Sequence, residues 1–268
     1  MFDKKKPTVE FICTSPGVKE VMPIIRASEY RHSWITKAVA DMKSGGSLTA
    51  AHRREYEMHE APQMNEKKPD DQRHTAKCPA LQMVQNTGWI MRLHQDIRIK
   101  TIGDGEDITW IIPYQSQQDP IVSKHMTHSF YPFFDNWPKD TMKKIIKINL
   151  PWHARIPKGY KLLQLHPFWL DDFRFTTCSG ILDPQLGHAA VGTIPMFWHS
   201  TSGETIVKAG TPLAQFILIP KDEPNYSNID KDNDPNYVKE KNLTQLLLTQ
   251  SFNRNYNKMK EFWKKYGW

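Results

Sequence analysis

Residues 179–188 read SGILDPQLGH, residues 190–200 read AVGTIPMFWHS, and residues 204–222 read ETIVKAGTPLAQFILIPKD. These three stretches lie within residues 156–222 and predict an antiparallel β unit. Gly180, Asp183 and Pro184 carry the composition of a turn. Residues 191–198 form an apolar strand, residues 200–204 a polar hairpin, and residues 212–220 a last strand that is apolar almost throughout. A run without polar alternation is what a strand covered on both faces shows.

Working outward, residues 144–150 read as a further strand, and Ile156-Pro157-Lys158-Gly159 as a turn with proline at its second position. Residues 130–137 are so rich in aromatics (Phe130, Tyr131, Phe133, Phe134, Trp137) that most of them are expected to be buried. Further upstream a long hairpin is expected. Leu93, Ile97 and Ile99 face inward, Arg92, His94, Asp96, Arg98 and Lys100 face outward, and Gly103-Asp104-Gly105 reverses the chain into residues 108–114. Pro79 suits the first position of a short helix, with Gly88 as its C-terminal stop. Ser33 caps another helix whose apolar face is Trp34, Ile35, Ala38, Val39 and Met42, and residues 8–14 alternate as a strand.

The segment 51–73 is charged and broken by Pro62 and Pro69, which predicts a surface loop. Residues 223–237 have linker composition. The tail after them carries two helical stripes, one through Leu243, Leu246 and Leu247, the other through Tyr256, Met259, Phe262, Trp263 and Tyr266. Three regions result: an N-terminal extension, 1–76, with one helix and a charged loop; a β-rich core, 77–222; and a linker with C-terminal helices, 223–268. The fold class is mainly β, α+β overall.

Composition narrows the classes of function. The chain has 268 residues, 39% hydrophobic content and a mean hydropathy of -0.62, and no apolar run approaches the ~20 residues of a membrane span. The N-terminus lacks the apolar stretch of a signal peptide, so a cytoplasmic protein is expected. Cys13, Cys78 and Cys178 are too far apart for a zinc knuckle, and three cannot make a disulfide framework. The net charge of +7 leaves nucleic acid open as a partner, although the lysines spread along the chain with no recognition motif.

Two resemblances rest on these residues. Gly180-Ile181-Leu182-Asp183-Pro184-Gln185-Leu186 resembles the third motif of the dUTPases and dCTP deaminases, G-x-I-D-x-x-Y. Gly210-Thr211-Pro212-Leu213-Ala214-Gln215-Phe216 resembles their fourth, G-x-x-x-A-Q-L. The resemblance implies a β-clip core of antiparallel strands, with N-terminal helical additions and a C-terminal helical tail in this chain. It casts Asp183 as the residue that orients an attacking water, and Gln215, Ser179 and Gly180 as substrate contacts. Leu186 stands where the family has its tyrosine, residues 175–180 read FTTCSG in place of an Arg-Ser-Gly phosphate motif, and Pro212 replaces an arginine. The glycine-rich phosphate arm has no counterpart. More broadly, residues 77–221 are similar to a family of uncharacterised bacterial and tailed-phage proteins. That similarity rests on Cys78-Pro79, Gly88-Trp89, Pro157-Lys158-Gly159-Tyr160, residues 180–183 and Gly210-Thr211-Pro212. It implies a phage or bacterial source, with host cytoplasm or virion as the location.

The favoured expectation is a non-catalytic binding or structural protein without a cofactor, meeting a protein partner or further copies of itself through its C-terminal helices. The alternative is a nucleotide hydrolase or deaminase, which would bring Mg with its nucleotide. A third reading is a cupin-like metal-dependent oxygenase with His166, Asp171 and His188 as ligands.

Overall fold

In the computed structural model, described residues are 7–44, 78–103, 105–113, 122–125, 131–186 and 191–225; statements of structure below concern these. The chain divides into two compact units, one of residues 1–30 and 86–223, the other of residues 31–85 and 224–268.

The sheets of the first unit are all antiparallel. Its strands are β1 (Glu10–Cys13), β2 (Ile25–Arg26), β3 (Trp89–Arg92), β4 (Ile97–Ile102), β5 (Ile108–Ile111), β6 (Val122–Lys124), β7 (Ile146–Asn149), β8 (Trp152–Arg155), β9 (Tyr160–Leu165), β10 (Phe175–Thr177), β11 (Gly180–Leu182), β12 (Thr193–Trp198), β13 (Ser202–Val207) and β14 (Pro212–Pro220). A single turn of helix, α1 (Val18–Val21), lies between β1 and β2. The strands form sheets ordered β11-β9-β14-β3-β2, β10-β12-β7-β6 and β13-β4-β5, with a separate β1-β8 pair. In the second unit the described helices are α2 (Ser33–Ser44) and α3 (Pro79–Gln85); α3 begins at Pro79 as expected, whereas Ser33 is the first residue of α2 rather than its cap, the Thr36 N–H bonding to the His32 carbonyl. The expected C-terminal helices lie outside the described residues.

Alternation decides which side chains meet. In β4, Ile97, Ile99 and Thr101 are buried while Arg98, Lys100 and Ile102 are exposed; in β7, Ile146 and Ile148 point in, and in β12, Ile194, Met196 and Trp198 do. With Leu162, Phe175, Val207 and Phe216 these residues form one core to which all three larger sheets contribute. Phe11 brings β1 to it by packing edge-to-face on Trp89, with ring centroids 5.5 Å apart. The neighbouring Arg155–Glu10 ion pair is mostly exposed and adds at most about 1 kcal/mol. The ladder with β8 and this apolar contact, rather than the ion pair, hold β1 in place.

β14 differs from the other strands. Its first five residues, Pro212 through Phe216, are all buried, so both faces are covered, with Gln215 the one polar side chain among them. The register against β3 slips between Pro212 and Ala214. Leu213 is thus the extra residue of a bulge, and Thr177 Oγ1 donates to its carbonyl.

Four expectations are corrected. The strands of residues 180–220 do not pair with one another: β11 pairs with β9, β12 with β10 and β7, β13 with β4, and β14 with β3 and β9. The long hairpin does form, β4 pairing antiparallel with β5, but its first arm is shorter than expected: the chain breaks at residues 93–96, so β3 and β4 join different sheets. Phe133 and Phe134 are exposed, at 83% and 52%, although Trp137 does pack on Phe197. Gly88 lies three residues past the end of α3 and serves a different purpose. Its φ is +80°, and a Cβ there would sit 1.9 Å from the Phe216 carbonyl oxygen.

Gly88→Ala therefore meets both backbone strain and a collision with the central strand. A loss of about 3 kcal/mol or more is expected in urea denaturation. Gly159→Ala, at φ +84° with open space around the new methyl, is expected to cost only about 1–2 kcal/mol.

Candidate functional site

Asp183 follows β11 directly and opens the short 3-10 turn Pro184–Leu186. The residue is buried. Its Oδ1 accepts the Gln185 N–H at 3.0 Å, and its Oδ2 lies 3.2 Å from Lys221 Nζ, which also donates to Gln185 Oε1. Burial by itself pushes the carboxyl pKa up, but the Gln185 N–H, Lys221 and Lys161 outweigh it and hold it below the ordinary aspartate value. An anion stabilised in this way makes a good turn cap and a poor proton acceptor.

Gln215 is buried at the middle of β14. Its Nε2 donates to Thr87 O at 2.7 Å and its Oε1 accepts Phe168 N–H at 3.3 Å. One amide thereby ties β14 to the segment before β3 and to the loop after β9. Of the other residues assigned to substrate, Ser179 is exposed, and Gly180 pairs with Gln164 as the first residue of β11 with open space above it. Asp183 and Gln215 thus sit in the same five-stranded sheet region, each occupied by the backbone around it.

The proposed metal ligands fare differently. His188 lies outside the described residues, and Asp171 is exposed on the loop after β9. His166 Nδ1 accepts the Thr177 N–H at 3.1 Å. A neutral imidazole that accepts through Nδ1 carries its proton on Nε2, so neither nitrogen offers a lone pair to a metal. While it holds the Thr177 N–H in that tautomer, His166 has no lone pair to offer a metal. No group of three His, Cys, Asp or Glu among the described residues is arranged to hold a metal ion.

The sequence reading missed a polar cluster around this histidine. Asp172 and Arg174 form a two-pronged ion pair, and Arg174 Nη1 reaches the Ile206 carbonyl at 2.7 Å. Burial raises the Asp172 pKa, yet Arg174 brings it below the usual carboxylate value. His199 bridges two hydroxyls, Thr141 Oγ1 at 2.9 Å and Thr176 Oγ1 at 2.8 Å. The loop carrying His166, Asp171 and Asp172 also exposes Trp169 (53%) and Phe173 (83%), and Trp169 has a left-handed backbone at φ 58°. A bulky residue held there is a strained one. The only hint in sequence is the short string DDFR, whose acid-to-arginine spacing allows the fork.

The basic surplus is not on this core. Residues 86–223 contain 14 Lys and Arg against 13 Asp and Glu, so the +7 charge belongs mainly to the rest of the chain. Cys13, Cys78 and Cys178 are free, and burial pushes the Cys178 thiol up to about 11, which keeps it protonated and unreactive near neutrality. No protein-family model matches the chain, and no curated protein matches it significantly.

Two predictions follow from the site's geometry. Gln215→Leu removes the hydrogen bonds that this amide makes to the Thr87 carbonyl and the Phe168 N–H, and is expected to cost about 2–5 kcal/mol in chemical denaturation. Acid should act in two stages. Burial lowers the pKa values of His94, His125, His166 and His199, so the unfolded chain binds protons first, and stability declines as pH falls below the ordinary histidine value of 6.5. Asp96, Asp172 and Asp183 have lowered pKa values, and their contribution disappears only below 3.8. A pH series of thermal unfolding midpoints checks both stages.

Proposed function

We propose that this chain is a non-catalytic binding or structural protein built on a dUTPase-like β-clip scaffold, with the loop of residues 166–174 as a contact surface. The carrying observation is the employment of Asp183 and Gln215. Catalysis on a nucleotide needs an aspartate that can steer water and an amide that faces substrate. Here Asp183 is capped by Gln185 and Lys221, while both ends of the Gln215 amide bind backbone. Loop 166–174 has the opposite character: Gln215 and the Asp172–Arg174 fork anchor it, and it turns Trp169 and Phe173 outward. Pre-ordered aromatic side chains bind a partner with little loss of conformational freedom. Protein partners or further copies of the chain are the proposed occupants, in host cytoplasm or virion.

One observation favours the nucleotide reading. Lys161 and Lys221 both act on Asp183, and a phosphate would find two cations there. Thermal unfolding with dUTP or dCTP and Mg separates the two. A nucleotide at a hundred times its Kd adds about 2.7 kcal/mol, roughly 5–10 °C for a unit of this size. The binding reading expects no such shift; a shift of that size that Asp183→Asn removes overturns it. In the same reading, Trp169→Ala with Phe173→Ala keeps the unfolding midpoint but weakens association in sedimentation velocity.

A further inference from the structure

β10 is an edge strand, and its backbone alternates between a partner and an open side. Cys178 N–H donates to Pro195 O beside β12, so Thr177 N–H, one residue earlier, points to the open edge. There it meets His166 Nδ1 at 3.1 Å. A side chain on the loop after β9 thus occupies a position that another strand would otherwise fill.

We propose that His166 is a proton-operated latch: its neutral ring closes the open edge of β10, and protonation at Nδ1 releases that edge. This inference stands on the histidine's geometry alone and does not depend on the proposed binding function. The neutral ring has a single acceptor nitrogen, and Thr177 N–H uses it. An added proton occupies that lone pair and sets N–H against N–H, so an attractive contact becomes a repulsive one. His199 is different. Both its nitrogens face threonine hydroxyls, which turn to accept or donate, so its cation keeps both contacts.

The groups around His166 do not cancel the effect. Asp172 favours the imidazolium but is held by Arg174, His199 disfavours it, and the ring packs edge-to-face on Phe175, 5.7 Å between centroids. Tyr30 is influenced by Asp171, Arg92 and Asp172. Residual ties after release are Gln164 Nε2 to Cys178 O and Thr177 Oγ1 to Leu213 O, so the strand stays docked while its edge N–H opens.

Amide hydrogen exchange tests the latch. Between about pH 7.5 and about pH 5 the protection of the Thr177 amide, corrected for intrinsic exchange, is expected to fall roughly tenfold, the scale of one lost hydrogen bond. His166→Gln offers a non-titrating acceptor and should hold protection constant, while His199→Gln should respond as the native chain does. Unchanged native protection, or an unchanged fall in His166→Gln, overturns the proposal. Nitrogen chemical shifts of the His166 ring provide a measurement on the native chain. A proton on Nε2 near neutrality, with Nδ1 protonation coinciding with the Thr177 amide shift, supports the latch; a ring protonated on Nδ1 at neutral pH refutes it.

Discussion

A strand covered on both faces has no water to satisfy whatever polar groups it carries, and β14 is the strand in that position. The ladders with β3 and β9 use most of its backbone. Two groups escape them: the Leu213 carbonyl, turned out by the bulge, and the side chain of Gln215. Thr177 supplies a hydroxyl to the first, while Thr87 O and Phe168 N–H complete the second. A buried amide left without partners costs more than a hydrogen bond contributes in net terms, so these contacts are conditions for the strand to be there. They also fix the chain around it. Thr177 brings β10, Phe168 brings the loop with Trp169, and Thr87 brings the segment whose Gly88 passes against the Phe216 carbonyl.

That arrangement bears on what the two dUTPase-like motifs mean here. In the resemblance, an aspartate at a strand end and a glutamine in the next long strand face a substrate. In this chain both positions are filled by the same residue types, but the Gln215 amide holds backbone at both ends and the Asp183 carboxylate holds the Gln185 N–H and Lys221. The substitutions are of one kind. Leu186 in place of a tyrosine is 73% exposed, and Pro212 in place of an arginine is buried at the start of β14. The first leaves an apolar side chain in solvent where an aromatic would stack; the second puts a residue without an N–H where a cation would be presented. Pro212 thus contributes packing to β14 and no charge of its own.

Elements whose signal is local were legible in the sequence. Period-two burial in β4, the start of α3 at Pro79 and the Asp183-Pro184 turn each depend on residues within a few positions. Pairing is different, because alternation tells which face a side chain takes and nothing about the neighbouring strand. The strand-hairpin-strand appearance of residues 191–220 suggested neighbours, whereas the 93–96 break sends β4 to β13 and β3 to β14. The role of Gln215 was hidden for the same reason: its Thr87 partner lies 128 residues earlier. Aromatic density misled at Phe133 and Phe134, since hydrophobicity states that burial is favourable and leaves open whether the fold has room.

The polar cluster beside His166 follows from where β9 and β10 end. β9 leaves the five-stranded sheet and β10 enters the four-stranded one, so the loop between them crosses from one sheet to another. Besides the Leu170 N–H to Pro167 carbonyl turn, side chains steady it: Gln215 to Phe168 N–H, Asp172 to Arg174, Arg174 to the Ile206 carbonyl and His166 to Thr177 N–H. A loop held by such bonds can keep Trp169 in a left-handed conformation that an unsupported chain would abandon. Its order depends on protonation states as well as on packing. A carboxylate, a guanidinium and a neutral imidazole do the holding, and of these only the imidazole changes charge near neutral pH.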